Sequence, residues 1–335
     1  MSATIFVSGA TGFIAQHIIK QLIDNNYSVV GSVRSASKGD QLKESLKTDK
    51  FSYEVVPDIQ KEGAFDEALK KHPEVTVFLH TASPFHFNTT DVEKDLLLPA
   101  VNGTKNALKA INDHATQVKR VVVTSSYAAM FEGEFDPTYT ATEESWTKLT
   151  WEQAKENAEI GYVASKAFAE KAAWDFVEEE KPNFSLTTVN PGYVFGPQVF
   201  DTAAAGTLNT SSEIINSLLS LGPKDEIPVM QGTWIDVRDV AKGHLAAFES
   251  DETIGKRLLL SDEERFSTFK ITEIVRDYFS EYKDLPVADK KAHQETVNKF
   301  CKVDPSKTWK VLQFEPIDIE TSVIDSVSQI LKNKK

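Results

Sequence analysis

The string Tyr162-Val163-Ala164-Ser165-Lys166 places a phenol and an ammonium four residues apart. In a helix that spacing sets both side chains on one face, about one turn apart. The pair suits the reduction of a carbonyl by hydride. As hydride reaches carbon, the oxygen becomes an alkoxide and must gain a proton. A tyrosine with an ordinary pKa of about 10 releases its proton reluctantly near neutral pH. A neighbouring ammonium favours the phenolate and lowers that pKa. The same lysine can hold the ribose hydroxyls of a nicotinamide cofactor. A hydroxyl that polarises the carbonyl oxygen completes such a site, and Thr124-Ser125-Ser126 supplies two candidates. Ser126 is expected to take that role, with Ser125 as the alternative or as a tie for the loop. Alone, Tyr-x-x-x-Lys is a common string whose plain reading is an exposed helix pair. The elements around it decide.

A hydride donor needs a phosphate-binding turn. Gly9-Ala10-Thr11-Gly12-Phe13-Ile14-Ala15 follows an apolar run, Thr4-Ile5-Phe6-Val7, and opens a helical pattern. Glycine permits the tight turn and lets backbone amides approach a pyrophosphate, which the helix N-terminus then attracts. Ala15 fills the third small position of a Gly-x-x-Gly-x-x-Ala spacing. NAD-binding sheets usually carry an acid at the end of the second strand. Here that strand ends Gly31-Ser32-Val33-Arg34-Ser35, without an acid. Arg34 can pair with a ribose 2′-phosphate in bidentate fashion, and Lys38 adds a second charge unless it is only a solvated lysine. NADPH is therefore expected over NADH. Asp58 and Ile59 fall where an adenine amino group would be held.

These groups have to be carried by a sheet. Strands are predicted at residues 4–7, 28–33, 51–56, 75–80, 118–124 and 185–189, with a later one at 257–260. Helices are predicted at 13–25, 38–47, 63–72, 96–114 and 159–180. Uniformly apolar strands alternating with helices mean a parallel sheet covered on both faces. Further helices are predicted at 213–221, 239–249, 272–282 and 317–332. The expectation is α/β: a Rossmann-type doubly wound parallel sheet over residues 1–190, with a smaller C-terminal α/β substrate lobe over 191–335. Some later segments are expected to return to the first domain.

Composition narrows the classes. The chain has 335 residues and a net charge of −13, which disfavours nucleic acid and anionic membranes as partners. No apolar run reaches the ~18 residues of a membrane span. Cys301 is the one cysteine, so no intrachain disulfide forms. Its context suggests an idle buried thiol. Cytoplasm is the default compartment, with no secretory pattern at the start of the sequence. His80 and His86 lack partners at metal-ligand spacing, so no metal is expected.

With these residues assembled, the chain resembles the extended short-chain dehydrogenase/reductase family, and within it the fungal methylglyoxal reductases and the dihydroflavonol reductase-like aldehyde and ketone reductases. The carrying strings are Val7 to Ala15, Leu79-His80-Thr81-Ala82-Ser83-Pro84-Phe85, Thr124 to Ala129, Tyr162 to Trp174, Asn190 to Pro197, and Ile235-Asp236-Val237-Arg238-Asp239-Val240-Ala241. The resemblance implies Ser126, Tyr162 and Lys166 as a triad. It implies cofactor contacts from Gly9, Ala10, Thr11, Gly12, Phe13, Ile14, Arg34, Lys38, Asp58, Ile59, Val194 and Ser211, besides Tyr162 and Lys166. Asp236 and Asp239 look like the family's acidic pair, and are read as caps of the helix starting near Asp239. The acidic, irregular stretch 132–157 is where relatives vary, so substrate contacts do not carry over from it.

Phe85, Phe87, Tyr127, Phe131 and Tyr193 fall near the predicted chemistry; Phe85, Tyr127 and Phe131 are the first choices for an apolar pocket, with core packing the alternative. Small aldehydes, ketones or diketones are the expected substrates. Two other readings compete. A nucleotide-sugar epimerase or dehydratase shares Tyr-x-x-x-Lys but needs cations for a diphosphate, for which only Lys224 and Arg238 offer themselves. A catalytically silent NADP sensor would show a broken triad, and this triad is complete. Monomer and homodimer both stay open.

Overall fold

The computed structural model describes residues 3–83, 89–206, 208–287 and 290–334. Seven strands build its main sheet: β1 (Thr4–Ser8), β2 (Ser28–Val33), β3 (Phe51–Val55), β4 (Val75–His80), β5 (Arg120–Thr124), β6 (Ser185–Pro191) and β7 (Arg257–Leu260). Their order is β7-β6-β5-β4-β1-β2-β3, and each pairing among β1 to β6 is parallel. The order reverses between β1 and β4. In open α/β sheets a ligand crevice forms at such a switch point, outside the carboxyl ends of the strands. Gly9 leaves β1 there, and Thr81 leaves β4.

The helices that position the site are α1 (Phe13–Asp24), α2 (Ala36–Leu46), α3 (Asp66–Lys71), α4 (Leu98–His114) and α5 (Ala158–Glu180). On β1, Ile5, Phe6 and Val7 are fully buried, as a strand covered on both faces requires. Phe6 stacks on Phe78 at 4.8 Å, and Phe65 meets both rings edge-on. Boundaries differ from expectation where glycine or a cap intervenes. The helix expected at 63–72 shrinks to α3, because Gly63 adopts φ +73° and begins a turn. The one expected from 96 opens earlier, as a π turn at Glu93–Leu97 that runs into α4. Pro99 falls where the π turn passes into α4, so the continuous helix lacks one N–H donor there.

The chain divides into two compact units: Met1–Glu132, Glu143–Asn190 and Ala241–Leu258 form one, and Gly133–Thr142, Pro191–Val240 and Leu259–Lys335 the other. The second unit has its own core, with Phe195, Trp234, Phe266, Ile271, Val275, Val323 and Val327 buried together. Short strand pairs join Tyr193–Phe195 to Trp234–Asp236 and Thr140–Ala141 to Lys302–Val303. The irregular stretch after residue 132 is therefore split, its first ten residues folding with this unit. The buried Arg265 fixes them through a bidentate pair with Glu134, at 2.7 and 3.0 Å. Cys301 is buried with its Sγ 3.1 Å from the same guanidinium. The helix expected from 239 begins two residues earlier, at Val237. Asp236 caps it by accepting the Arg238 N–H at 2.8 Å, whereas Asp239 accepts the N–H of Ile317 at 2.7 Å. Among the described residues no helix is long and apolar enough to cross a membrane.

Candidate active site

The turn after β1 is built for a close backbone approach. Gly9 has φ +67°, and a Cβ there would lie 2.9 Å from the Cα of Ala82. Its N–H donates to Ser32 Oγ at 3.0 Å, the Ala10 N–H to the Ser32 carbonyl at 2.9 Å, and the Gly12 N–H to the Gly9 carbonyl at 2.9 Å. Gly12 is the N-cap of α1 and brings no side chain to cap it. The first-turn amides at Phe13, Ile14 and Ala15 thus face a glycine-lined entrance, with Thr11 half-buried and Ala10 and Ala15 packed inside. A helix N-terminus of this kind attracts an anion through its partial positive charge. These residues fit a dinucleotide pyrophosphate.

Arg34 follows β2 directly and is exposed; Lys38, also exposed, lies in the first turn of α2. Neither makes an ion pair among the described residues. Asp58 is exposed and its Oδ1 accepts the Gln60 N–H at 2.9 Å. The Ile59 side chain packs on α4, where a Cβ on Gly103 would come within 2.7 Å of it. Asn106 of α4 donates to the carbonyls of Ile59 and Lys61, both at 3.0 Å. The turn that carries Asp58 and Ile59 is therefore pinned in place beside β3.

Tyr162 and Lys166 lie on α5, capped by Asn157, whose Oδ1 accepts the Ile160 N–H at 2.9 Å. Gly161 lets α5 come close to Val92, since a Cβ there would overlap Val92 at 2.1 Å. The Lys166 ammonium stands 5.9 Å from the centre of the Tyr162 ring. Burial pushes that ammonium down from an ordinary 10.5 to about 8. Ser126 follows the end of β5 and caps the short turn Tyr127–Met130, accepting the Ala128 N–H at 3.1 Å. A hydroxyl that accepts can still donate. The turn packs against α5. Ser125, by contrast, donates its hydroxyl to the buried carboxylate of Glu170 at 2.5 Å.

At the β1–β4 junction the buried His80 has its Nδ1 3.0 Å from Ser8 Oγ. Ser8 Oγ accepts the N–H groups of Thr81 and Ala82, both at 3.0 Å, so its own proton goes to Nδ1. Burial, with the Lys166 charge second, pushes His80 down from 6.5 to about 4. The unfolded chain takes up that proton below about pH 6.5, and the native state refuses it until about pH 4. Stability is full above that window and falls as pH drops through it, by on the order of 3 kcal/mol. Thermal melts between about pH 7 and about pH 5 test this: His80→Gln is expected to flatten the slope, and an unchanged slope contradicts it.

Tyr127 is buried and meets the ring of Phe131 edge-on at 6.1 Å, so these two aromatics form one apolar wall after Ser126. Phe85, Phe87 and His86 lie outside the described residues. Val194, buried on its short strand, Ser211, in the first turn of helix Thr210–Leu218, and Tyr193, edge-on to Phe266, belong to the second unit. Residues that sequence reasoning missed include Ser32, whose hydroxyl accepts the Gly9 N–H, and Ser8, whose hydroxyl holds the chain leaving β4 at Thr81 and Ala82. The signal was a serine inside an otherwise apolar strand, a place where a polar side chain has to find a partner.

Known proteins place this arrangement. The model of the NAD dependent epimerase/dehydratase family matches residues 5–259. A Candida albicans protein provisionally named an NADPH-dependent methylglyoxal reductase is 56% identical, over 98% of this chain and 99% of its own length. The NADPH-dependent methylglyoxal reductase of Saccharomyces cerevisiae is 48% identical, over 98% of each chain. Among solved structures, that of Gre2 from Candida albicans in complex with NADPH superposes with a TM-score of 0.96 at 48% identity, covering 99% of this chain and 100% of that one. With a glycine turn at the switch point of a 3-2-1-4-5-6-7-ordered sheet, and likeness over nearly its whole length, the chain belongs to the NAD dependent epimerase/dehydratase family.

Proposed function

We propose that this chain is an NADPH-dependent carbonyl reductase acting on small aldehydes, ketones or diketones of the methylglyoxal kind. The observation that carries the reading is the Lys166 ammonium 5.9 Å from the Tyr162 ring, on the helix packed against the Ser126 turn. The names of the relatives support the substrate class and the cofactor. Residues Gly9 to Ile14 hold the pyrophosphate, Arg34 and Lys38 the 2′-phosphate, and Asp58 and Ile59 the adenine. The cofactor, when bound, supplies hydride to the carbonyl carbon. Ser126 donates a hydrogen bond to the carbonyl oxygen and so favours the charge that develops on it. Tyr162 hands its phenolic proton to that oxygen. Lys166 stabilises the phenolate left behind and holds the nicotinamide ribose hydroxyls. Tyr127 and Phe131 supply apolar surface for the substrate.

Mixing the protein with NADPH and a panel of aldehydes and diketones tests the reading by loss of absorbance at the reduced nicotinamide band. Loss that depends on the carbonyl is expected. Binding of NADPH with no carbonyl-dependent loss overturns the proposal. The pH profile adds a second test. Lys166 is cationic below about pH 8, so kcat/KM is expected to fall as pH rises past that value. A profile flat well above pH 8 contradicts a role for the ammonium.

A further inference from the structure

Glu170 continues the stripe that Tyr162 and Lys166 begin, one further turn along α5, and Trp174 follows it by another. Its carboxylate is 1% exposed and accepts from five residues. Oε1 takes Arg257 Nε at 2.6 Å, Thr188 Oγ1 at 3.0 Å and Trp174 Nε1 at 3.3 Å. Oε2 takes Ser125 Oγ at 2.5 Å, Asn190 Nδ2 at 2.6 Å and Arg257 Nη2 at 3.4 Å. Arg257 lies over the ring of Trp146 at 3.7 Å and donates to the carbonyls of Glu143 and Ser145 at 2.8 and 2.6 Å. One buried charge thus ties α5 to the ends of β5, β6 and β7.

Stability alone does not account for it. A buried ion pair can often be replaced by apolar groups without loss, because desolvation offsets the attraction. What the carboxylate does is fix direction, and its contacts converge on Ser126. Ser125, next in the chain, is held by the carboxylate and by its N–H to the Val189 carbonyl at 2.8 Å. Asn190 Nδ2 donates both to Glu170 and, at 3.2 Å, to the carbonyl of Ser126 itself. An asparagine amide can flip; the carboxylate at 170 holds its nitrogen toward that carbonyl, helped by Thr188 Oγ1, which lies 3.0 Å from Asn190 Oδ1. Glutamine at 170 would turn a donor toward Ser125, Asn190 or Arg257.

We infer that Glu170 is the positioning residue for Ser126, aiming the serine hydroxyl at the substrate oxygen through Ser125 and Asn190. The inference rests on the role proposed for Ser126, and a double-mutant cycle separates the two. Ser126→Ala is expected to lower kcat by about a hundredfold or more, the scale of a lost oxyanion donor. Glu170→Gln is expected to lower kcat about tenfold in the otherwise native enzyme, with NADPH affinity kept, and by less than about twofold in the Ser126→Ala background. Should Glu170→Gln fail to fold, Ser125→Ala, which removes one of the contacts, goes through the same cycle. The same fold-loss in both backgrounds, or no loss of kcat in the native one, overturns the positioning role and leaves Ser126 standing. An undiminished kcat in Ser126→Ala overturns both.

Discussion

Tyr162→Phe is expected to lower kcat by about 10²- to 10⁴-fold, the usual worth of a positioned proton donor. The ring and its packing stay, and only the acid is lost. NADPH binding should therefore be nearly unchanged, because the glycine turn and Arg34, proposed to hold its phosphates, lie on other elements. Single-turnover mixing with NADPH and a diketone separates the two effects, since it reads chemistry apart from binding and release. A variant that loses NADPH affinity but keeps its turnover would mean that Tyr162 holds the cofactor and does not serve as the acid.

The second large effect concerns cofactor choice. Arg34→Ala is expected to weaken NADPH about ten- to a hundredfold, the loss of a charge-assisted pair with a phosphate. NADH has no 2′-phosphate, so its dissociation constant should change little. Titrations of both cofactors by fluorescence read the ratio directly. Equal weakening of the two would assign Arg34 to the adenine face or to the fold. The exposure of Arg34 and Lys38 supports the reading, because neither guanidinium nor ammonium is committed to a carboxylate of the described residues.

Much of the nucleotide-binding unit was legible in the sequence. Strands such as Val121-Val122-Val123 are apolar on both faces, and Gly9 marks a turn where backbone comes close to Ala82. The second unit was less legible. Its pairings are two or three residues long and far apart in the chain, as Lys302 with Thr140, so no local periodicity announces them. The helices Lys290–Val297 and Ser306–Leu312 are short and were not anticipated. Position past the strand favours Ser126 over Ser125 but leaves Ser125 as the alternative. In the structure the buried carboxylate forty-five residues away takes the Ser125 hydroxyl, which supports the role proposed for Ser126. A charged residue on a buried helix face departs from amphipathic patterning, so apolar periodicity does not announce that Glu170 is buried. The repeat of Tyr162, Lys166 and Glu170 at four-residue steps was the one available hint.

The central claim is net hydride transfer from NADPH to a carbonyl carbon, which also separates a reductase from a family member that recycles its cofactor. NADPH carrying deuterium at both C4 positions, incubated with the protein and methylglyoxal, tests it by mass spectrometry of the product. An alcohol with one carbon-bound deuterium for each NADPH oxidised is expected. A product without deuterium, or deuterium that stays in the cofactor with no NADPH consumed, would contradict it.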